Sequence, residues 1–146
     1  MKKLLFTFVA LFAALSGGLA AAQDIVIGQS VPLSGADADI GRDMRDGAMA
    51  VFARANAANL LGRKIQLVTL DNANDRARAK QNTELLLGQH DAMVLFGYSS
   101  ATVSLDALPM AAKNNLLFFA PFTGASEVRN LPNAFTVRAS YQDETA

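Results

Sequence analysis

The chain has 146 residues, 51% of them apolar, with 13 basic and 13 acidic side chains, one histidine and no cysteine. Without cysteine it can hold neither disulfides nor thiolate metal sites, and its balanced charge gives it no field that would draw nucleic acid or an anionic membrane. No cofactor-binding fingerprint and no metal-ligand pattern stands out, and the length suits one domain with a real core.

The first 22 residues read as an export signal. Lys2 and Lys3 form a charged start, Leu4 to Leu15 an apolar stretch, and Ala20-Ala21-Ala22 a small-residue cleavage site before Gln23. That stretch is too short, and too soon followed by Gly17 and Gly18, for a membrane span. The expected mature protein is periplasmic, starts near Gln23 and carries 11 basic against 13 acidic residues.

Ile25 to Val31 is β-branched and apolar, a buried strand stopped by Pro32-Leu33-Ser34-Gly35. From about Arg42 to Asn56, Met44, Ala48, Val51, Phe52 and Ala55 share one helical face. Asn59-Leu60-Leu61-Gly62 closes that helix, and Ile65 to Leu70 is a second strand. Asp71 to Asp75 is a run of turn formers and helix caps, ahead of a helix from Arg76 to Leu87 burying Ala79, Thr83, Leu86 and Leu87. Gly88 ends it, and His90 falls in the turn before a third strand, Ala92 to Phe96. Gly97 and the small polar series Tyr98-Ser99-Ser100-Ala101-Thr102 follow, then a helix from about Thr102 to Lys113 burying Val103, Ala107, Met110 and Ala111. Leu116 to Phe119 is a fourth strand, Ser126 to Asn130 a helical turn, and Ala134 to Arg138 a fifth strand.

Strands alternating with helices imply parallel pairing through right-handed crossovers. The predicted fold is α/β: a doubly wound, mostly parallel Rossmann-like sheet with helices on both faces, the apolar strands fitting cover on each side. In the order 2-1-3-4-5 the switch point falls between strands 1 and 3, where ligands gather. The loops on that rim are Leu33 to Gly41, Ser99 to Thr102, and Phe122 to Gly124. A helix starting among Ser99, Ser100 and Thr102 presents unpaired N–H groups and the positive end of its dipole, a seat for a carboxylate. The plainer alternative is that Ser99 or Ser100 only caps that helix.

In these pieces, taken in order, the chain resembles the type I periplasmic binding proteins of the branched-chain amino-acid kind, the solute receptors of ABC importers. They are Ile27-Gly28 through Ser34-Gly35, Gly41 with Asp46-Gly47-Ala48, Asn56 with Leu61-Gly62-Arg63-Lys64, and Asp71 with Asp75. Gly97 with its Ser/Thr turn, Ala120-Pro121-Phe122-Thr123-Gly124-Ala125, and Val137 to Tyr141 complete the series. The resemblance implies two lobes closing on a small ligand, of which residues 23–146 correspond to the first, so that the chain is expected to be truncated. It implies that Ser99, Ser100, Ala101 and Thr102 hold the ligand carboxylate through hydroxyls and N–H groups. Phe122 and Thr123 offer groups to its amine, Gly124 allows close approach, Ile40 faces the ligand, and Ser140 and Tyr141 edge the cleft. The implied partners are an amino acid or similar small anion and a permease in the inner membrane; no enzyme activity, cofactor or nucleic acid is implied. One wall alone is expected to capture ligand weakly.

Two other readings stand beside it. Gly97-Tyr98-Ser99-Ser100-Ala101 is similar to the nucleophile elbow of serine hydrolases, although the sole histidine, His90, precedes the serine where such enzymes place it after. A single lobe would also expose a face and an edge strand through which it could pair with itself or a partner. Asp71 and Asp75 read as helix caps and solvated carboxylates, Arg76, Arg78 and Lys80 as a solvated face, and Arg42 as a cation within reach of an anion at the rim.

Overall fold

The computed structural model describes residues 23–129 and 131–146; the segment read as an export signal and Asn130 lie outside the described residues. Strands β1 (Ile25–Val31), β2 (Ile65–Asp71), β3 (Val94–Phe96), β4 (Leu117–Phe119) and β5 (Ala134–Phe135) form one sheet in the order β2-β1-β3-β4-β5. Every pairing is parallel, with Ile25–Val31 running beside Ile65–Asp71 and Val94–Phe96 beside Leu117–Phe119. The connecting helices are α1 (Ala38–Ala57), α2 (Arg76–Gly88) and α3 (Ala101–Lys113), with a 3-10 turn at Ser126–Arg129 and a short α4 (Tyr141–Glu144).

Strand side chains alternate between two faces, and the two are covered unequally. On one, Val26, Leu95, Tyr98 and Phe118 join Ala79 and Leu86 of α2 and Val103, Ala107, Leu108 and Ala111 of α3 in the buried core. Gly28 packs closely there: a Cβ at that position would lie 3.0 Å from the Ala92 Cβ and 3.2 Å from Leu86, so those side chains would have to give way slightly. On the other face, Ile27, Val94, Phe96, Leu117 and Phe119 line, with Ala48, Val51 and Phe52 of α1, a recess of about 490 Å3. Phe96 packs edge-on to Phe52 at 6.1 Å and stacks with Phe119 at 6.2 Å, yet Val51 stays 65% and Phe135 53% exposed. Helices therefore lie on both faces as expected, but unequally: three right-handed crossovers toward β5 stack their connections on one side, and among the described residues α1 covers the other.

Several boundaries also differ from the sequence reading. Helix α1 begins at Ala38, four residues before Arg42, because its first turn buries the small residues Ala38 and Gly41, which carry no hydrophobic periodicity. Gly41 sits against the turn ending β1: a Cβ there would fall 1.8 Å from the Pro32 carbonyl oxygen. Strand β3 begins at Val94 and β4 at Leu117, within the usual fraying of strand ends. Strand β5 stops at Phe135 and not Arg138, since only Ala134 and Phe135 find partners in the short β4. Met110, expected in the core, is only half-buried.

Two glycines of one helix should therefore respond in opposite directions. Gly41→Ala is expected to lose about 2–3 kcal/mol in urea unfolding, because the Pro32 backbone must move. Gly47→Ala meets nothing within 4 Å and should gain about 0.5–1 kcal/mol from helix propensity. Equal midpoints for the two variants would contradict this packing.

Candidate functional site

All five strands point their carboxyl ends at one rim, and a cleft of about 210 Å3 opens there. Its walls are Pro32 at the end of β1, Asp37 and Ile40 at the start of α1, Asn74 after β2, Ser99 and Ser100 after β3, and Phe122 after β4.

The turn after β3 is fixed from below. Tyr98 is fully buried, its ring 5.2 Å from Phe118 and its hydroxyl 2.8 Å from the Thr83 hydroxyl; burial pushes the phenol well above its usual range. Gly97 takes φ +61°, where its missing Cβ leaves room for the Gln29 amide at 3.1 Å. The Gly97 N–H donates to the Phe119 carbonyl at 3.0 Å, and the Phe122 N–H donates to the Tyr98 carbonyl at 2.8 Å. With Tyr98 sunk in the core, Ser99 and Ser100 face the cleft. Ser100 caps α3, its Oγ accepting from the Val103 N–H at 3.5 Å while its carbonyl accepts from the Ser104 N–H and hydroxyl. Capping therefore engages Ser100 and leaves Ser99 outside the cap.

The loop after β1 hangs on a carboxylate. Asp71 Oδ1 accepts the Leu33 and Ala73 N–H groups, each at 2.8 Å, and Oδ2 accepts the Ser34 hydroxyl at 2.6 Å. The Ser34 hydroxyl, with these backbone donors, holds the Asp71 carboxyl down at about 2. Asp71 thus braces a rim loop instead of capping α2; the cap is Asp75, which accepts from the Arg78 N–H at 2.6 Å. Arg42 is likewise occupied, bonding the Leu33 carbonyl at 2.9 Å and Asp39 at 3.2 Å. Beneath the loop after β2, buried Asn72 and Asn82 each donate to the Ser30 hydroxyl at 3.3 Å, and Asn82 also donates to the Asp71 carbonyl at 3.0 Å. Arg76 stays largely exposed, and its guanidinium pairs with Asp106 of α3 through two bonds.

Beyond β4, Phe122 is 48% exposed and backed by the Arg138 guanidinium, 5.1 Å from its ring centre. Arg138 also lies 5.3 Å from the Tyr141 ring and holds Glu144 by two bonds of 2.7 and 2.9 Å. Thr123 is buried, its hydroxyl accepting from the Ala125 N–H at 3.1 Å and lying 3.2 Å from the Tyr141 hydroxyl. Gly124 makes room for the Tyr141 ring, which a Cβ would approach to 2.6 Å. Ser140 is buried in a capping box with Asp143 at the start of α4.

The cleft therefore brings together Ile40, Ser99, Ser100 and Phe122, with Ile40 on helix α1 and not in a loop. Ala101 and Thr102 lie in the first turn of α3 beside it, and Thr123, Gly124 and Tyr141 pack as a brace behind Phe122. Pro32 and Asn74 are wall residues outside the rim loops expected from the sequence, whereas Asp37 lies within the expected rim loop Leu33 to Gly41. The signal for Asn74 was available: parallel β2 neighbours β1, so the turn after it opens on the same rim.

Among the described residues no histidine lies beside Ser99. His90 is exposed in the turn that enters β3, while Ser99 follows the exit, so the strand itself separates them. The positive φ of the turn falls on Gly97 and not on Ser99.

A family model described as periplasmic binding protein matches residues 24–146. The chain belongs to the periplasmic binding protein family. The described residues form one lobe of the type I architecture. The family member Leu/Ile/Val-binding protein homolog 2 of Brucella abortus (strain 2308) is 33% identical over 124 residues, covering 84% of this chain and 33% of its own length. The chain thus spans about a third of the length of this curated relative. A crystal structure of a possible leucine/isoleucine/valine-binding protein from Rhodopirellula baltica SH 1 superposes with a TM-score of 0.82 at 34% identity, covering 89% of this chain and 36% of that one. A solute-binding protein of an ABC transporter from R. palustris, in complex with benzoate, shares the fold with a TM-score of 0.71 at 23% identity, over 80% of this chain and 33% of that one.

The Asp71 brace should show itself in acid. A carboxyl held at about 2 in the folded chain, against about 3.9 when unfolded, contributes stability that is complete above about pH 4 and lost as pH falls toward 2. Asp71→Asn should cost about 1 kcal/mol at pH 7 and flatten the decline of stability between pH 4 and 2. A variant with the same acid profile as the parent would remove Asp71 from this role.

Proposed function

We propose that the chain is the solute-capturing lobe of an ABC-importer receptor, that it works in the periplasm, and that it binds an amino-acid-like solute at the β1–β3 switch point. The observation that carries this reading is the start of α3. Ser99 and the capping Ser100 line the cleft, and the first N–H groups of α3 follow directly after them, at the rim where such folds bind ligands. The family membership and the Leu/Ile/Val-binding names of the relatives support an amino acid; the benzoate complex shares the fold alone. In this reading the ligand carboxylate sits at Ser99 and Ser100, Ile40 and Phe122 cover its apolar part, and the liganded receptor is handed to a membrane permease. Domain closure around the solute is the usual conformational step of such receptors. A cleft of about 210 Å3 lies below the usual 300–1,000 Å3 of ligand pockets, so capture by this chain is expected to be on the order of millimolar.

Ser99→Ala tests the assignment, because Ser99 lies outside the helix cap. In a titration with L-isoleucine followed by amide resonances, the variant should bind about tenfold more weakly, the loss of one hydrogen bond to a charged group, with an unchanged Tm. Unaltered binding by the variant would move the carboxylate elsewhere.

A further inference from the structure

We propose that Asp37 makes the β2 side of the cleft a seat for a cationic side chain, so that the solute is a basic amino acid such as lysine or arginine. This deepens the amino-acid reading above and rests on it.

Asp37 carries the one formal charge among the residues that line the cleft. It occupies the N-cap position of α1, where an aspartate ordinarily accepts from its own helix, yet it makes no side-chain cap bond. Instead Oδ2 accepts the Asn74 Nδ2–H at 2.6 Å. Asn74 is itself held in place: it adopts φ +57°, and its N–H donates to Oδ1 of the fully buried Asn72 at 2.9 Å. The carboxylate is thus turned from the helix toward the cleft by a donor that a buried amide fixes. Ionised, it offers about four acceptor sites, of which Asn74 uses one.

The neighbouring cations are engaged elsewhere. Arg42 is bonded to Asp39 and the Leu33 carbonyl, and Arg138 to Glu144.

Position along the rim sets the direction of the ligand. A carboxylate at the β3 turn lies beside the loop after β1, and the turn after β2 lies one strand further, so Asp37 and Asn74 stand one to two strand spacings away, about 5–10 Å. An extended lysine or arginine side chain covers that span. Ile40 and Pro32 line the way and suit the methylene stem, leaving only the charged head to meet Asp37. An aliphatic side chain would strip water from the carboxylate without replacing it, and an aromatic monocarboxylate would bring a second negative charge with no cation for Asp37.

The test is a titration of the 15N-labelled protein with L-lysine, L-leucine and benzoate in turn, following the Ser99 and Ser100 amides. Lysine should saturate at about a tenfold lower concentration than leucine, as one charge-assisted hydrogen bond allows. Asp37→Asn should erase that preference and Asp37→Glu retain it. Asp39→Asn, a change outside the cleft, should leave it intact. Should Asp37→Asn disturb the fold, which the same spectra report, the lysine-to-leucine ratio of the unaltered protein decides. Leucine binding as tightly as lysine, or a preference that survives Asp37→Asn, overturns the role of Asp37 and leaves the amino-acid reading standing. Saturation by benzoate alone, or by none of the three, overturns both.

Discussion

The burial of Tyr98 is the constraint on which the rim depends. Its ring lies between Phe118 of β4 and the α2–α3 layer, and its hydroxyl meets Thr83 of α2, so the residue after Gly97 is drawn downward into the core. Gly97 can turn the chain that sharply because it lacks a Cβ and accepts φ +61°. Ser99 and Ser100 are then lifted to the surface and α3 starts beside them. The core thus aims the polar turn: the same packing that stabilises the lobe places Ser99 and Ser100 in the cleft wall.

The other walls are held by polar contacts of longer sequence range. Asp71, at the end of β2, binds backbone donors 37 and 38 residues earlier, at Ser34 and Leu33, and so fixes the loop that follows β1. Asn72 and Asn82 share the Ser30 hydroxyl under the neighbouring turn. Arg138 spans Phe122 and Tyr141 and is itself pinned by Glu144. Each wall of the cleft therefore has a support outside the cleft, the arrangement needed to keep a binding surface in shape before ligand arrives. The apolar recess on the far side of the sheet, around Phe96 and Phe119, belongs to a different face and takes no part in this arrangement.

The order of elements and the location of the rim were legible in the sequence because they rest on short-range signals. β-branched runs, a glycine after β3 and helical periodicity suffice for the five strands and three helices. The start of α1 was not legible, since its buried residues Ala38 and Gly41 are small and Gly41 is buried by close contact with Pro32 and not by hydrophobicity. Nor were the unequal faces: Ile27, Val94 and Phe96 read as buried from composition, and only the handedness of successive crossovers decides which side keeps its helices. Of the residues that line the cleft, Ser99, Ser100, Ile40 and Phe122 stand out in the sequence. Asp37 and Asn74 look like ordinary turn formers until the strands are placed side by side, because their meeting spans 37 residues. Tyr141 packs against Thr123 and Gly124, contacts across 17 and 18 residues that no local sequence pattern announces.

A crystal structure of the protein grown with a saturating amino acid should show the ligand in the cleft between Ile40 and Phe122, its carboxylate within hydrogen-bonding distance of Ser99 and of the first N–H groups of α3. An amino acid lodged on another surface, or one lying in the cleft with its carboxylate turned away from Ser99, would contradict this placement.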